Sequence, residues 1–345
     1  MPNTKRVTLA DVAQHAGVGV ATVDRVLNAR ARVSQDTAAR VMAAAEALGY
    51  HGRVLMRQRL QDLVPLKRLG FVLQKQSKWF YQELAQAIHL AARAQVAIRA
   101  KAEITFVESL APGELSHEIA RMTERNDAVA VVSIDHPEVS AAINAAENRR
   151  GPVFALLSPL TAPGVAGYVG IDSQRAGRTA GWAMARLSHG VGDVGILVGS
   201  YRYLGHEALE AGFRSAMREY APERRLRESI VYLDDSAVAY EAASELLSSR
   251  PDLGGLYHVG GGVRGVIKAL EESGRAKDVT YICHENSPAT QQALTKGLVD
   301  LVIATPIYEV ADLVVRSMTQ SVLGESIDPS AIHPPEFRLI TSENV

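Results

Sequence analysis

The chain has 345 residues, 37 Lys+Arg against 38 Asp+Glu, one cysteine and 47% hydrophobic residues, which predicts two or three domains with a full core. The lone thiol, Cys283, excludes a disulfide scaffold and a cysteine-built zinc site, and fits a reducing cytoplasm. No apolar run approaches the roughly 18 residues that span a bilayer, and Met1 to Val12 lacks an apolar signal core, so a cytoplasmic protein away from membranes is expected.

The net charge of −1 conceals a division. Residues 1–60 carry nine positive and four negative side chains, +5 in all, which leaves −6 on the remainder. An anionic partner is therefore expected at the first sixty residues only. Three short helices are predicted there. Thr8-Leu-Ala-Asp11 forms a capping box for a helix through Ala16, with Leu9, Val12, Ala13 and Ala16 as its apolar stripe. Gly17 ends that helix in a sharp turn. A second helix is predicted from Val20 to Asn28, with Val23, Val26 and Leu27 inward, and a third follows Ser34, with Val41, Ala45 and Leu48 inside and Gly49 closing it. Helix, short glycine-containing turn, helix is the helix-turn-helix plan, whose second helix can enter the major groove. Val20, Ala21, Thr22, Arg25 and Asn28 point away from the inward residues and are the candidates for contact. Small side chains at 20 and 21 suit thymine methyls, and Arg25 offers donors to guanine or phosphate. A plain three-helix packing unit is the competing reading.

Val7-Thr-Leu-Ala-Asp-Val-Ala-Gln-His-Ala-Gly-Val18, Ala21-Thr-Val-Asp-Arg-Val-Leu-Asn28, Val33-Ser34 and Ala47-Leu-Gly-Tyr50 resemble the LacI/GalR headpiece over about fifty consecutive positions. The resemblance implies an operator-binding domain over 1–52 and a hinge helix within 53–66. It assigns base reading to Val20 and Ala21, and base or backbone contact to Thr22, Arg25 and Asn28, with Thr8 in the DNA-binding set. Asp24 departs from the family, where Ser is common, and sets a carboxylate beside phosphate. In the hinge the minor-groove wedge position falls on Arg59, with Leu60 and Met56 as the apolar alternatives.

From Arg68 onward β-rich runs alternate with amphipathic helical stretches. Strands are expected at Leu69–Leu73, Ile104–Val107, Ala128–Ile134, Val153–Leu157, Val194–Val198, Ser229–Leu233, Gly255–Val259, Val279–Cys283 and Leu301–Ala304. This alternation predicts an α/β body with two parallel sheets wrapped by helices. Phe80-Tyr-Gln-Glu-Leu84, Gly170-Ile-Asp172 with Ala176-Gly177, Ala211-Gly212-Phe213 and His284-Glu285 before Pro288 resemble the two-lobed, periplasmic-sugar-binding-protein-like body of the same family. The resemblance implies an effector-binding and dimerisation domain over 67–345. It divides this domain into one lobe of about 67–162 and 296–328 and another of about 163–295 and 329–345, with chain crossings near 160–168, 290–300 and 325–335.

Ligands in open α/β sheets bind beyond the strands' C-terminal ends, so the cleft is expected to collect residues there. Phe80 and Tyr81 can stack on a sugar's C–H face, and Glu285 can accept from two neighbouring hydroxyls. His206, Glu207 and His258 sit just past strands, while Ser158 and Thr305 offer hydroxyls at strand ends. Each has an ordinary alternative in packing or capping, and Asp172 reads equally as a cap or a contact. Three departures bear on the ligand. Leu157-Ser158 replaces an Asp-Arg pair common in sugar-binding relatives, Leu209 replaces an Arg, and Thr305 replaces an amide.

A rival chemistry rests on Gly260-Gly-Gly262-Val-Arg-Gly265, which satisfies G-x-G-x-x-G after an apolar run and before a helix, with Glu285 twenty residues on. It would make the protein an NAD-dependent oxidoreductase. No nucleophile elbow, zinc-binding helix or P-loop lysine motif is present, so neither catalytic residues, cofactor nor metal is expected. The whole chain is read as a homodimeric repressor on a pseudo-palindromic double-stranded DNA operator, controlled by a small carbohydrate-like effector. Phe337–Val345 has room for a strand and tail but no heptad segment, so no tetramerising coiled coil is expected.

Overall fold

The computed structural model describes residues 7–28, 33, 35–56, 64–147, 151–188, 192–325 and 332–345. Three helices form the headpiece: α1 (Leu9–Ala16), α2 (Val20–Asn28) and α3 (Gln35–Ala47). The capping box forms as expected, with Thr8 N–H donating to Asp11 Oδ2 at 2.8 Å and Asp11 N–H to the Thr8 hydroxyl at 3.3 Å. Gly17 takes φ +65°, so the chain can turn at once into α2. Arg40 on α3 closes the same end, its Nη2 donating to the Ala16 carbonyl at 2.9 Å and the Gly17 carbonyl at 3.2 Å. Val12, Ala13, Val23, Val26, Val41 and Ala45 make the small core. Ser34, the expected cap of α3, lies outside the described residues.

The body contains eleven strands among the described residues: β1 (Leu66–Gln74), β2 (Arg99–Val107), β3 (Ala128–Val131), β4 (Val153–Leu156), β5 (Val165–Val169), β6 (Asp193–Val198), β7 (Leu226–Val231), β8 (Leu253–Val259), β9 (Thr280–Cys283), β10 (Leu301–Ala304) and β11 (Arg338–Ile340). They build a parallel sheet in the order β2-β1-β3-β4-β5 and a second in the order β11-β10-β9-β8-β6-β7. In the second sheet only β11 runs antiparallel, pairing Val302 with Ile340. The body's helices are α4 (Trp79–Ala94), α5 (Pro112–Arg125), α6 (Pro137–Glu147), α7 (Ser173–Leu187), α8 (Leu204–Tyr220), α9 (Ser236–Ser249), α10 (Val263–Ser273), α11 (Pro288–Thr295) and α12 (Ile307–Val322). Helices on both faces explain why β3, β4, β6, β8, β9 and β10 are buried along their whole length.

Two crossings differ from the sequence expectation. β5 pairs with β4 in the first sheet, so the chain first leaves that lobe at 170–172 rather than near 160–168. β10 pairs with β9 in the second sheet, whereas Val310, Val314 and Met318 of α12 pack in the first lobe's core, so the return falls at 305–306 rather than 290–300. A third passage lies between Ile332, which packs on the first lobe, and Phe337, which packs on the second.

Helices α7 and α8 pack closely because glycines face the contact. A Cβ at Gly177 would stand 2.0 Å from the Leu209 carbonyl oxygen, and one at Gly212 would stand 2.2 Å from that of Gln174. This approach fixes Leu209, one wall of the cavity described below. Gly177→Ala is expected to force the helices apart and destabilise the protein by about 1–3 kcal/mol; a lowered denaturant midpoint at unchanged slope checks it.

Candidate functional site

Two surfaces carry chemistry. On the headpiece, the face of α2 opposite buried Val23 and Val26 presents exposed Val20, Ala21 and Arg25, with Thr22 half-buried. Val20 is 48% exposed. Asn28 Nδ2 donates to Asp24 Oδ1 at 2.7 Å, so the unexpected carboxylate at 24 orients a neighbouring amide. Thr8 is exposed and holds the cap of α1. Residues 53–56 form a helical turn in which Met56 N–H donates to the Gly52 carbonyl at 3.0 Å. Met56 itself is fully buried in the headpiece core and is no exposed wedge, because its side chain packs inward beside Tyr50. Arg59 and Leu60, the other hinge candidates, lie outside the described residues.

In the body, the C-terminal ends of both sheets face a shared cavity of about 160 Å³. At roughly 10–15 Å³ per water-sized group, that is room for on the order of ten such groups, the scale of one sugar ring with its substituents. Of the cleft residues singled out from sequence, Phe80, Tyr81, Ser158, His206, Glu285 and Thr305 line it. Two expected residues do not. Glu207 is exposed on α8 and outside the lining, because the helix turns its side chain to solvent while His206 and Leu209 face in. His258 is fully buried one layer behind, as the strand's alternation places it between Tyr281 and Tyr232. Asp172 is the N-cap of α7, accepting from Arg175 N–H at 2.9 Å, and is absent from the lining.

Sequence reasoning missed Gln74, Lys75, Lys78, Tyr203 and Asp234 in the lining. Lys75 and Asp234 sit in turns at φ +30° and +53°, conformations that side-chain-bearing residues seldom adopt and no local pattern announced. Gln74, the last residue of β1, was legible by the strand-end rule that located Thr305.

The cavity's electrostatics follow from burial. Desolvation raises the Glu285 pKa, opposed by the Ser287 hydroxyl and by the charges of Lys78 and Arg264. Burial lowers His206, whose Nδ1 accepts from Ser200 N–H at 3.2 Å, so neutral His206 carries its proton on Nε2. Burial holds His258 down at about 4 and His284 at about 3, so both are neutral at physiological pH. Neutral His258 accepts from the Tyr281 hydroxyl at 2.7 Å and donates through Nε2 toward the Gly261 carbonyl at 2.8 Å. Neutral His284 donates to the Ile303 carbonyl at 3.2 Å and accepts from Tyr257 at 2.8 Å.

The glycine loop opening α10 belongs to this lining. Gly261 N–H, a donor that a dinucleotide pyrophosphate would need, is taken by Asp234 Oδ1 at 2.8 Å. A Cβ at Gly261 would also lie 3.7 Å from the Glu285 carboxylate, so an incoming diphosphate would meet two anionic side chains. Among the described residues there is no His/Cys/Asp/Glu group suited to a metal ion, and no helix long and apolar enough to cross a membrane.

The lobes touch beside the cavity. Gly205 N–H donates to the Ser158 hydroxyl oxygen at 3.1 Å, Lys75 Nζ to the Leu233 carbonyl at 3.3 Å, and Asp135 N–H to the Arg202 carbonyl at 3.0 Å. Tyr203, from the second lobe, is buried in the first lobe's apolar core.

Known proteins match both parts. Residues 8–52 match the family described as bacterial regulatory proteins, lacI family, and residues 70–326 match the periplasmic binding protein domain. The HTH-type transcriptional regulator MalR of Streptomyces coelicolor is 25% identical, over 92% of this chain and 98% of its own length. The regulator reg1 of Streptomyces lividans is 26% identical over the same shares. Among solved structures, a solute binding protein from Agrobacterium vitis bound with D-fucose superposes with a TM-score of 0.74 at 15% identity, over 80% of this chain and 96% of that one. Another from Agrobacterium vitis, bound with alpha-D-tagatopyranose, gives 0.73 at 18%, over 81% and 95%.

Because ionised Glu285 is penalised by burial, its raised folded pKa removes stability as pH climbs through the ordinary carboxylate range and beyond. Glu285→Gln is therefore expected to raise the melting temperature at pH 7, with the gain shrinking toward pH 4. Thermal unfolding of both proteins across that range checks the sign.

Proposed function

We propose that this chain, which belongs to the LacI family of bacterial regulatory proteins and carries a periplasmic binding protein domain as its body, represses transcription under the control of a small carbohydrate-like effector. Its being a DNA-binding transcriptional regulator follows from the family. The repressor role, the effector class, the cytoplasmic location and the homodimer are our reading. One observation carries it: a major-groove-sized helix with an exposed reading face shares a chain with a cavity lined from two lobes.

In this reading Val20 and Ala21 meet base edges, Thr22, Arg25 and Asn28 hold bases or phosphates, and Thr8 faces the backbone near the start of α1. A dimer presents two such headpieces to a pseudo-palindromic operator, since the symmetry of protein and DNA must correspond. Phe80, Tyr81, Ser158, His206, Glu285 and Thr305 serve as effector contacts, joined by Gln74, Lys75, Lys78, Tyr203 and Asp234. Aromatic faces and carboxylates are the usual means of holding a ring's C–H surface and its hydroxyls, and the sugars named for the solved neighbours support that ligand class. We assign the cavity binding and no catalytic step. Because its lining is drawn from both lobes, occupancy biases their relative placement and so the separation of the two hinges. The coupling is reciprocal: an effector that loosens the operator is itself bound less tightly by the operator-bound form.

Arg25→Ala is expected to weaken operator binding by about 1–3 kcal/mol if it reads a base, measured by fluorescence anisotropy on the operator. Log affinity should also fall steeply and linearly with log salt as counterions are released. A flat salt response would exclude DNA as the headpiece's partner.

A further inference from the structure

The strand order divides the cavity into two ends of different chemistry. β5 and β10 feed the chain crossings, so Ile171, Ser173 and Thr305 mark the side where the lobes are tied. β1, β2 and β7 lie away from the crossings, and the loops that follow them bring Lys75, Lys78, Leu110 and Asp234 to the opposite side. There Lys75 reaches the Leu233 carbonyl across the gap, marking this end as the mouth.

Charge at the mouth is balanced. Lys75 and Lys78 face Asp234 and Glu285, and arginine is absent from the lining. An anionic ligand finds no surplus cation here and meets two carboxylates. Toward the crossings, beside the hydroxyls of Ser158, Ser173 and Thr305, stand the hydrocarbon side chains of Val132, Leu157, Ile171 and Leu209, the last at a place where a guanidinium is missing. A ligand hydroxyl pressed against those side chains loses its hydrogen bonds to water, whereas a methyl group gains from the same burial.

Among the described residues, one buried polar atom of a lining residue has no protein partner. Gln74 is only 1% exposed, and its Nε2 donates to the Val132 carbonyl at 2.7 Å. That bond fixes the amide's orientation, because a carbonyl can only accept. The amide's Oε1 is buried with no protein donor. Such an oxygen is destabilising until a donor arrives, and the cavity is where a ligand can bring one.

Resting on the cavity as effector site, we propose that the effector is an uncharged hydroxylated molecule with a hydrocarbon end turned toward the crossings, a deoxy sugar in type. Gln74 Oε1 accepts a hydrogen bond from one of its hydroxyls. Gln74 is thereby a specificity-determining residue, and Leu209 the side chain that excludes a charged terminal group.

The test is isothermal titration of the full chain with four forms of each hexose stereoisomer: the parent sugar, its 6-deoxy form, its uronic acid and its 6-phosphate. In whichever series binds, the 6-deoxy form is expected to be tightest, by at least tenfold over both charged forms. A charged form that binds as tightly, or a parent sugar tighter than its deoxy form, overturns the ligand chemistry and leaves the effector site standing. No binding in any series sinks the carbohydrate effector and this inference together. Two variants probe the residues. Gln74→Met should weaken the 6-deoxy sugar ten- to a hundredfold, and unchanged affinity would remove Gln74 from the site. Leu209→Arg should shift preference toward the uronic acid by at least tenfold, and an unchanged order would remove the hydrocarbon end.

Discussion

Parallel strands all finish at the same edge of their sheet, and in this body two such edges face one another. That constraint places every feature of the cavity. Each turn leaving a strand end projects side chains into the same space, so residues as distant in sequence as Gln74 and Thr305 become neighbours without any motif joining them. Helix packing then sets the walls. The glycine-mediated approach of α7 to α8 fixes how far Leu209 stands from the opposite lobe, so the size of the cavity is decided as much by what is missing at Gly177 as by what lines it.

The same geometry concentrates burial on ionisable groups. Desolvation lowers the pKa of three histidines in or behind the cavity, and His258 and His284 each use their two nitrogens in opposite senses, one donating and one accepting. Around His258, the hydroxyls of Tyr232 and Tyr281 and the Gly261 carbonyl form a dry hydrogen-bonded layer. Tyr232 also donates to the Val259 carbonyl at 2.8 Å. This layer supports the glycine loop from behind, while Asp234 holds it from the cavity side. A loop whose sequence fits a dinucleotide fingerprint thus has one of the N–H groups the fingerprint would use, that of Gly261, taken by Asp234.

The fold was legible where local chemistry repeats. The capping box at Thr8 and Asp11, the turn at Gly17 and the apolar runs of the buried strands act within a few residues, and they appear where the sequence places them. β5 escaped because Val165-Ala-Gly-Tyr-Val169 contains a glycine and follows Pro163, so it reads as a connection; only its pairing with β4 makes it a strand. The lobe boundaries shifted with it, since a crossing is defined by which sheet a strand joins and no single segment encodes that. In the cavity, residues at strand ends were found by position, while Lys75 and Asp234 required knowledge of left-handed turns stabilised by the surrounding fold. Met56 and His258 mark the opposite failure. Their types suited contact, but packing turned both inward.

Tyr203 gives the closed arrangement an energetic character of its own. It belongs to the second lobe by chain and to the first by packing, with its ring inside that lobe's apolar core. Any separation of the lobes must return this ring to water and leave a hole where it sat. The shut form is therefore held partly by the protein's own substance, independent of any guest. A two-lobed body built this way has its balance displaced toward the shut form before anything enters the cavity.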